Sequence, residues 1–361
     1  MIDIIGLFAG KKQQLAGLDI GSSSIKLVEI QDSAKGYTLS RFSQRPLARG
    51  VIVDGAVADP DALSAAIKEL YKQSGCKRRR IVTSISGHAV IVKKVTFSQM
   101  EENELRELIH DEAGKYLPFD DMNTVDYDCQ MLGENPYNPT QMEVLLVAAK
   151  KEIVEGYTEA IEDAGLTPVI MDVDSFALET MYEENYEFDD NDVVVLINIG
   201  ASITNLNAVK SGVSIFTRDF TLGGNSVTEE LSKNLGVSFD EAERAKIDGV
   251  GDDDESRNRF LDGLIVYADP ICSEIERSVD YFRSTFGAET IRQVFLSGGG
   301  ALIPGIAADL SNRLGIDAQL INPFNKIAIG KGVLDSEAAE RIGPVAAVVV
   351  GLGLRKIGDK S

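Results

Sequence analysis

Leu15-Ala16-Gly17-Leu18-Asp19-Ile20-Gly21-Ser22-Ser23-Ser24-Ile25-Lys26-Leu27-Val28-Glu29-Ile30 decides the reading of this chain. An apolar run ends in Asp19-Ile20-Gly21, three serines follow, and a second apolar run begins around Lys26. The pattern predicts a β-hairpin with a tight turn of small residues. Gly21 lets the backbone come close to a ligand, and the amides and hydroxyls of Ser22, Ser23 and Ser24 can donate to anionic oxygens. Lys26 adds a positive charge, and Asp19 sits where it could hold a water on Mg²⁺. Gly/Ser turns between strands are common, so the hairpin alone decides little.

It gains weight from a second copy. Residues 17–30 align with 196–209, Leu-Ile-Asn-Ile-Gly-Ala-Ser-Ile-Thr-Asn-Leu-Asn-Ala-Val, and four of the fourteen positions match: Ile20 with Ile199, Gly21 with Gly200, Ser23 with Ser202 and Leu27 with Leu206. Asp19 falls opposite Asn198, a near-isostere. A third glycine turn follows at Ser297-Gly298-Gly299-Gly300-Ala301, where a strand is expected to run into a helix. Two phosphate-type hairpins and a strand–Gly-Gly-Gly–helix turn suggest a duplicated domain closing on a nucleotide.

The order DxGxxxxK, then IGxxxT, then SGGGAxxPG resembles the actin-like ATPase superfamily, which includes actin, heat-shock chaperones, sugar kinases and FtsA. Within its FtsA-like branch the chain is most similar to the PilM family of type IV pilus assembly proteins. That likeness runs through residues 15–28, 90–95, 112–119 with Tyr-Leu-Pro-Phe, 144–152 with Leu-Leu-Val-Ala-Ala-Lys-Lys-Glu, 164–177, 221–225, 297–305 and 351–355. It implies an α/β, actin-like ATPase fold: two duplicated RNase H-like halves with a small inserted α/β domain in the first.

The resemblance also implies a binding site. Asp19, Gly21, Ser22, Ser23, Ser24 and Lys26 would form one phosphate loop, and Asn198, Gly200, Ala201, Ser202 and Thr204 the other. Gly298, Gly299, Gly300 and Ala301 would lie against the adenosine of ATP. Glu243 and Lys246 match the pair that reaches the ribose or base, and Gly223, Gly224 and Asn225 approach from the second half. Mg²⁺ would be held through Asp19 and Asn198. The second loop in relatives usually begins with Asp; a carboxamide there lacks the charge that phosphoryl transfer uses, so slow or absent hydrolysis is expected. Asp172 is the best positional match to the acid that orients water, with Asp174 behind it.

The implied role is a cytoplasmic scaffold at the inner membrane. It would capture the cytoplasmic N-terminal segment of PilN, contact other pilus platform proteins and self-associate. Residues 88–97 and 172–177 are the expected groove. An FtsA-like division protein is one alternative, although the chain ends without the linker and amphipathic helix of that family. A small sugar kinase is another, weakened by Asn198 and by the lack of a Cys/His cluster.

Composition agrees with a soluble globular protein. The 361 residues are 44% hydrophobic and 26% charged, enough for more than one core. A formal charge of −21 argues against nucleic acid as a partner. Cys76, Cys129 and Cys272 lie far apart with no metal or disulfide spacing, which fits a reducing cytoplasm. His88 and His110 offer little for a metal site or a triad. The apolar stretch 345–354 is shorter than the ~20 residues a membrane span needs and reads as a buried helix. Peripheral membrane contact is expected, if anywhere, at Met1-Ile2-Asp3-Ile4-Ile5-Gly6-Leu7-Phe8, followed by Lys11-Lys12.

Residues 1–86 read as the first core domain, completed by 170–192 and 325–361. Residues 87–169 read as an inserted β-α-β-β-α domain, its first helix capped by Ser98 and Glu101 and stopped by Pro118, with a polar loop at 133–141. Residues 193–324 make the second half, with a helical subdomain at about 221–290 that contains an acidic loop at 251–255 and a long helix from about Asn258 to Phe286.

Overall fold

The computed structural model describes residues 15–87, 90–135, 138–187, 189, 192–287 and 290–359. The opening hairpin forms as its turn chemistry predicts. Strands Ala16–Ile20 and Ser24–Ser33 pair antiparallel with Asp19 opposite Lys26, and the Gly21 N–H donates to the Ser24 carbonyl at 3.1 Å. The second hairpin, Val193–Ile199 with Thr204–Lys210, repeats that register. Asn198 stands opposite Asn205, and the Gly200 N–H donates to the Ile203 carbonyl at 2.9 Å.

The duplication extends to whole sheets. Gly36–Pro46 adds antiparallel to the first hairpin, while Arg80–Ile85 and Thr167–Val173 add in parallel on its other side. In the second half Val213–Phe220 adds antiparallel, and Ile291–Ser297 and Ala318–Leu320 add in parallel. Helices cover both faces of the central strands, so Ala16–Ile20 is buried along its whole length.

Two helices, Asp174–Asn185 and Ser336–Leu354, pack against each other and against both sheets. Their contact demands glycine: a Cβ on Gly351 would stand 1.7 Å from the Ala177 carbonyl oxygen. The same helix rests on the first strand, where a Cβ on Gly17 would meet the Gly353 nitrogen at 2.6 Å. The apolar stretch 345–354 is therefore a core helix, as its length implied. Among the described residues no helix is long and apolar enough to cross a membrane.

Strands Val90–Ser98, Asn138–Lys150 and Val125–Asn135 form a separate three-stranded sheet, in that order. Helix Glu102–Glu112 packs Leu105 and Ile109 against Val144 and Leu146 of this sheet. Three local expectations give way. Ser98 ends the strand, paired with Gln141, so the helix starts later, at Glu102, and is capped by Glu101, whose N–H donates to Glu104 at 3.3 Å. Cross-strand pairing outweighs the local capping box. The helix also passes into a 3₁₀ turn, Ala113–Lys115, before Pro118 is reached. Much of 133–141 is paired strand rather than loop.

Helix Lys151–Asp163 turns Ile153, Tyr157, Ala160 and Ile161 into the core of the first half, beside Leu63, Ile67 and Leu70 of helix Pro60–Ser74. Its apolar face thus enters the core of the first half, where Ala149 of the three-stranded sheet joins it. In the second half the long helix is two, Asp254–Asp262 and Ile265–Thr285. The acidic run opens the shorter one, where Asp253 accepts from the Ser256 N–H at 2.7 Å. Carboxylates suit the positive end of a helix dipole, which is why this run is helical in part. His88 and residues 1–12 lie outside the described residues.

Candidate functional site

The two hairpin turns line a single cleft of ≈ 820 Å³ between the halves. Asp19, Gly21, Ser22, Ser23, Ser24 and Lys26 line it from one side, and Asn198, Gly200, Ala201 and Ser202 from the other. Gly224, Asn225, Glu243, Lys246, Gly298, Gly299 and Gly300 line it as well. Thr204, Gly223 and Ala301 support the lining without joining it. The Thr204 hydroxyl donates to the Leu222 carbonyl at 2.7 Å, a Cβ on Gly223 would strike the Gly200 oxygen at 2.5 Å, and Ala301 is buried.

Asp172 is not brought into the cleft. Its carboxylate is paired with Arg355, which Asp359 holds from the other side at 3.0 Å, and it also accepts from the Val173 N–H at 2.9 Å. The strand ends at Val173 and the chain turns into a helix at Asp174, so the next acid takes a different direction. Asp174 lines the cleft and accepts from the Ser84 hydroxyl at 2.6 Å. Burial, and then the charge of Asp19, push its carboxyl up to about 7, against the opposing hydrogen bonds from Ser84 and Ser86. Burial, with the charges of Asp174 and Asp19, likewise raises the Tyr157 phenol on the same wall. A carboxyl pushed up by burial and a neighbouring acid in a cleft is a candidate functional group.

The hairpins carry matched but chemically different pairs. Lys26 Nζ donates to Asp19 Oδ2 at 2.8 Å, with both groups buried. At the corresponding positions of the second hairpin, Asn198 Nδ2 donates to Asn205 Oδ1 at 3.1 Å. The ionic pair thus has a neutral counterpart. Lys246 Nζ lies 2.7 Å from Glu243 and donates to Thr228 Oγ1 at 2.8 Å and the Gly224 carbonyl at 3.1 Å. This ties helix Phe239–Asp248 to the first turn of helix Gly224–Leu235. Ile247, Leu261, Leu302, Ile303 and Pro304 supply an apolar wall.

Two lining residues were weakly signalled or missed. Asp174 stood second to Asp172, and Asn205 was passed over although the alignment of the hairpins sets it opposite Lys26.

These groups suit a magnesium nucleotide. Small-residue turns and a helix N-terminus at Gly224 can take phosphates, and the apolar wall can take a base. Asn205 is 2% exposed, and among the described residues its buried Nδ2 finds no hydrogen-bond partner. Among the described residues no group of three or more His, Cys, Asp or Glu gathers to hold a metal. Mg²⁺ would lean on Asp19, phosphate oxygens and waters, a common arrangement for that ion.

A second, smaller groove of ≈ 280 Å³ lies at the junction of the three-stranded sheet with both halves. Gly87, Val90, Ile91, Val92, Val173 and Ser175 border Thr217, Arg218 and Asp219 there. The Gly87 N–H donates to Asp219 Oδ2 at 2.7 Å, bridging the halves.

Comparison with known proteins agrees with this architecture. The family model described as type IV pilus assembly protein PilM matches residues 17–357. The chain is similar to a solved PilM-PilN type IV pilus biogenesis complex at 30% identity and a TM-score of 0.83, covering 96% of this chain and 99% of that one. MreB5 of Spiroplasma citri bound to AMPPNP shares the fold at 13% identity and a TM-score of 0.50, covering 94% and 95% of the two chains. Cell division protein FtsA of Bacillus subtilis is 24% identical over 254 residues, 63% of this chain but only 56% of that relative. The fold is that of the actin-like ATPases.

Proposed function

The chain belongs to the PilM family of type IV pilus assembly proteins, and from that premise we propose that it is an ATP-binding scaffold at the cytoplasmic face of the inner membrane. It holds Mg-ATP in the large cleft and captures the cytoplasmic N-terminal segment of PilN in the smaller groove. The observation that carries the nucleotide reading is the pair of same-register hairpins that both line one cleft. Their turns grip the phosphates from opposite sides, and Gly298, Gly299 and Gly300 lie against the adenosine. Glu243 and Lys246 sit at the ribose end.

Mg²⁺ supplies neutralisation of the phosphates when bound. The chain's own residues favour retention over turnover. Lys26 already neutralises Asp19. Asn198 carries no charge, and Asp172 is occupied by Arg355. Asp174 is the remaining lining carboxyl that can orient a water, and it keeps its proton to about pH 7. Hydrolysis is accordingly slow or absent.

The peptide half is supported by the edge strand that borders the groove, with valines and an isoleucine on one side and Thr217, Arg218 and Asp219 on the other. Val90–Ser98 is an edge strand, and an extended peptide can add to such an edge. Calorimetry with Mg-ATP and with a synthetic PilN N-terminal peptide tests both halves. Ile91→Glu should remove peptide binding and leave ATP binding in place. Peptide affinity unchanged in that variant would place the groove elsewhere.

A further inference from the structure

We propose that Arg49 is a latch across the rim of the large cleft, which sets how far apart the two hairpin turns stand and so how long a bound nucleotide is retained. The inference rests on the cleft being a nucleotide site.

The latch is two contacts made by one side chain. Arg49 belongs to the first half, and its Nη2 donates to Glu229 Oε1 of the second half at 2.5 Å. Its Cζ also sits over the Phe239 ring, 4.1 Å from the centroid. Arginine suits this double use, because a planar and permanently charged group can stack by its face while it donates from its edge.

Each end of the latch is built into a hairpin turn. On the first side the Leu47 N–H donates to the Ser23 carbonyl at 2.9 Å, which pins the chain to the first turn two residues before Arg49. Just beyond, Val51 and Ile52 are buried in the core of the first half, and the Tyr157 hydroxyl donates to the Gly55 carbonyl at 3.2 Å. Arg49 is therefore carried on a rigid arm. On the second side Glu229 lies in helix Gly224–Leu235, where the N–H groups of Gly224 and Asn225 donate to the Gly200 and Ala201 carbonyls of the second turn at 2.9 Å and 2.8 Å. Phe239 opens the helix that Lys246 ties to this one.

A ring of contacts thus runs from one turn through Arg49 to the other, above a floor formed by Val345 and Val348 of helix Ser336–Leu354. Separating the turns breaks the contacts of Arg49 and leaves the floor in place. A ligand gripped by both turns favours the same closed spacing as the latch, so each stabilises the other. The Arg49 and Glu229 side chains are 61% and 47% exposed, which makes the latch weak enough to open and sensitive to salt.

Two measurements on the full chain test this. Release of a fluorescent ATP analogue, chased with excess ATP, should be about three- to tenfold faster in Arg49→Ala and about twofold faster in Glu229→Ala. The Glu229 share should fade in ~0.5 M salt. The double variant should release no faster than Arg49→Ala, since both changes act through one side chain. Independently of nucleotide, spin labels at Ala65→Cys and Lys233→Cys report the spacing of the halves, the native cysteines being buried. Arg49→Ala should add a longer and broader distance component to the nucleotide-free chain. Unchanged release or an unchanged distance distribution in Arg49→Ala, or additive effects in the double variant, would overturn the latch. A wild type that binds no nucleotide would instead overturn the reading of the cleft, and the distance distribution then decides on the latch by itself.

Discussion

Valine at position 299 should weaken nucleotide binding without disturbing the fold, and alanine one residue earlier should do the reverse. A Cβ on Gly299 would have nothing within 4 Å, although the residue lines the cleft. The valine side chain therefore goes into the space a ligand would fill. If it displaces roughly 60–80 Å² of apolar contact, at about 25 cal/mol per Å² the loss is roughly 1.5–2 kcal/mol, or about 10–30-fold in affinity. Gly298 is different. Its φ is +86°, and a Cβ there would stand 2.3 Å from the Ile199 oxygen and 2.6 Å from Asn198 Oδ1. Overpacking against backbone costs about 1–3 kcal/mol and the left-handed φ adds roughly 1 kcal/mol. Gly298→Ala should lower the melting temperature by a few degrees, at roughly 1–2 °C per kcal/mol for a chain of 361 residues. Differential scanning fluorimetry with and without ATP, together with calorimetry, reads both effects. Wild-type affinity in Gly299→Val would refute the placement of the nucleotide against this turn. A large fall in the melting temperature of the same variant would refute the claim that the position is open.

Asn198→Asp should gain hydrolysis, by up to about 10²-fold if the missing charge is the main defect; a single-turnover assay decides, and brisk hydrolysis by the wild type would remove the basis of the comparison. Asp174 holds its proton to about pH 7 when folded and releases it near 3.8 when unfolded, so the folded state binds the extra proton between those values and stability falls as pH rises through them. Asp174→Asn should flatten that slope in urea melts run from pH 4 to 8, and an unchanged slope would mean the carboxyl is not held neutral. Peptide affinity measured with and without ATP should differ, and ATP affinity should change by the same factor when peptide is present.

The readable parts of the fold were those set by local chemistry. Gly21 and Gly200 close their turns through bonds to residues three positions on, so each hairpin and the alignment between them could be taken from sequence. The hidden parts depend on distant neighbours. Asp172 looked like an active-site acid because its occupant, Arg355, lies at the other end of the chain. Ser98 and Glu101 carried a sound capping signal, but pairing with Gln141 claimed Ser98 for the sheet. Helix Lys151–Asp163 showed its apolar face plainly, while periodicity could not say which core that face would enter. Asn205 was hardest to see, since an asparagine inside a strand is unremarkable until it is found lining a cleft.

The same turns that line the large cleft also join it to the groove. Ile203, at the tip of the second hairpin, packs over Gly55 and Gly87 of the first half, its Cδ1 lying 3.5 Å and 3.0 Å from where their Cβ atoms would be. Gly87 in turn donates to Asp219 and borders the groove next to Val90. A ligand that fixed residues 201–203 would limit the freedom of Ile203 against those two glycines, and with it that of the edge strand beginning at Val90. No long-range pathway is needed, because the chain of contacts from turn to glycine to groove passes through adjacent residues. If closing the cleft and widening the groove both move this contact, a ligand that binds either site better in one arrangement shifts the other by the same free energy.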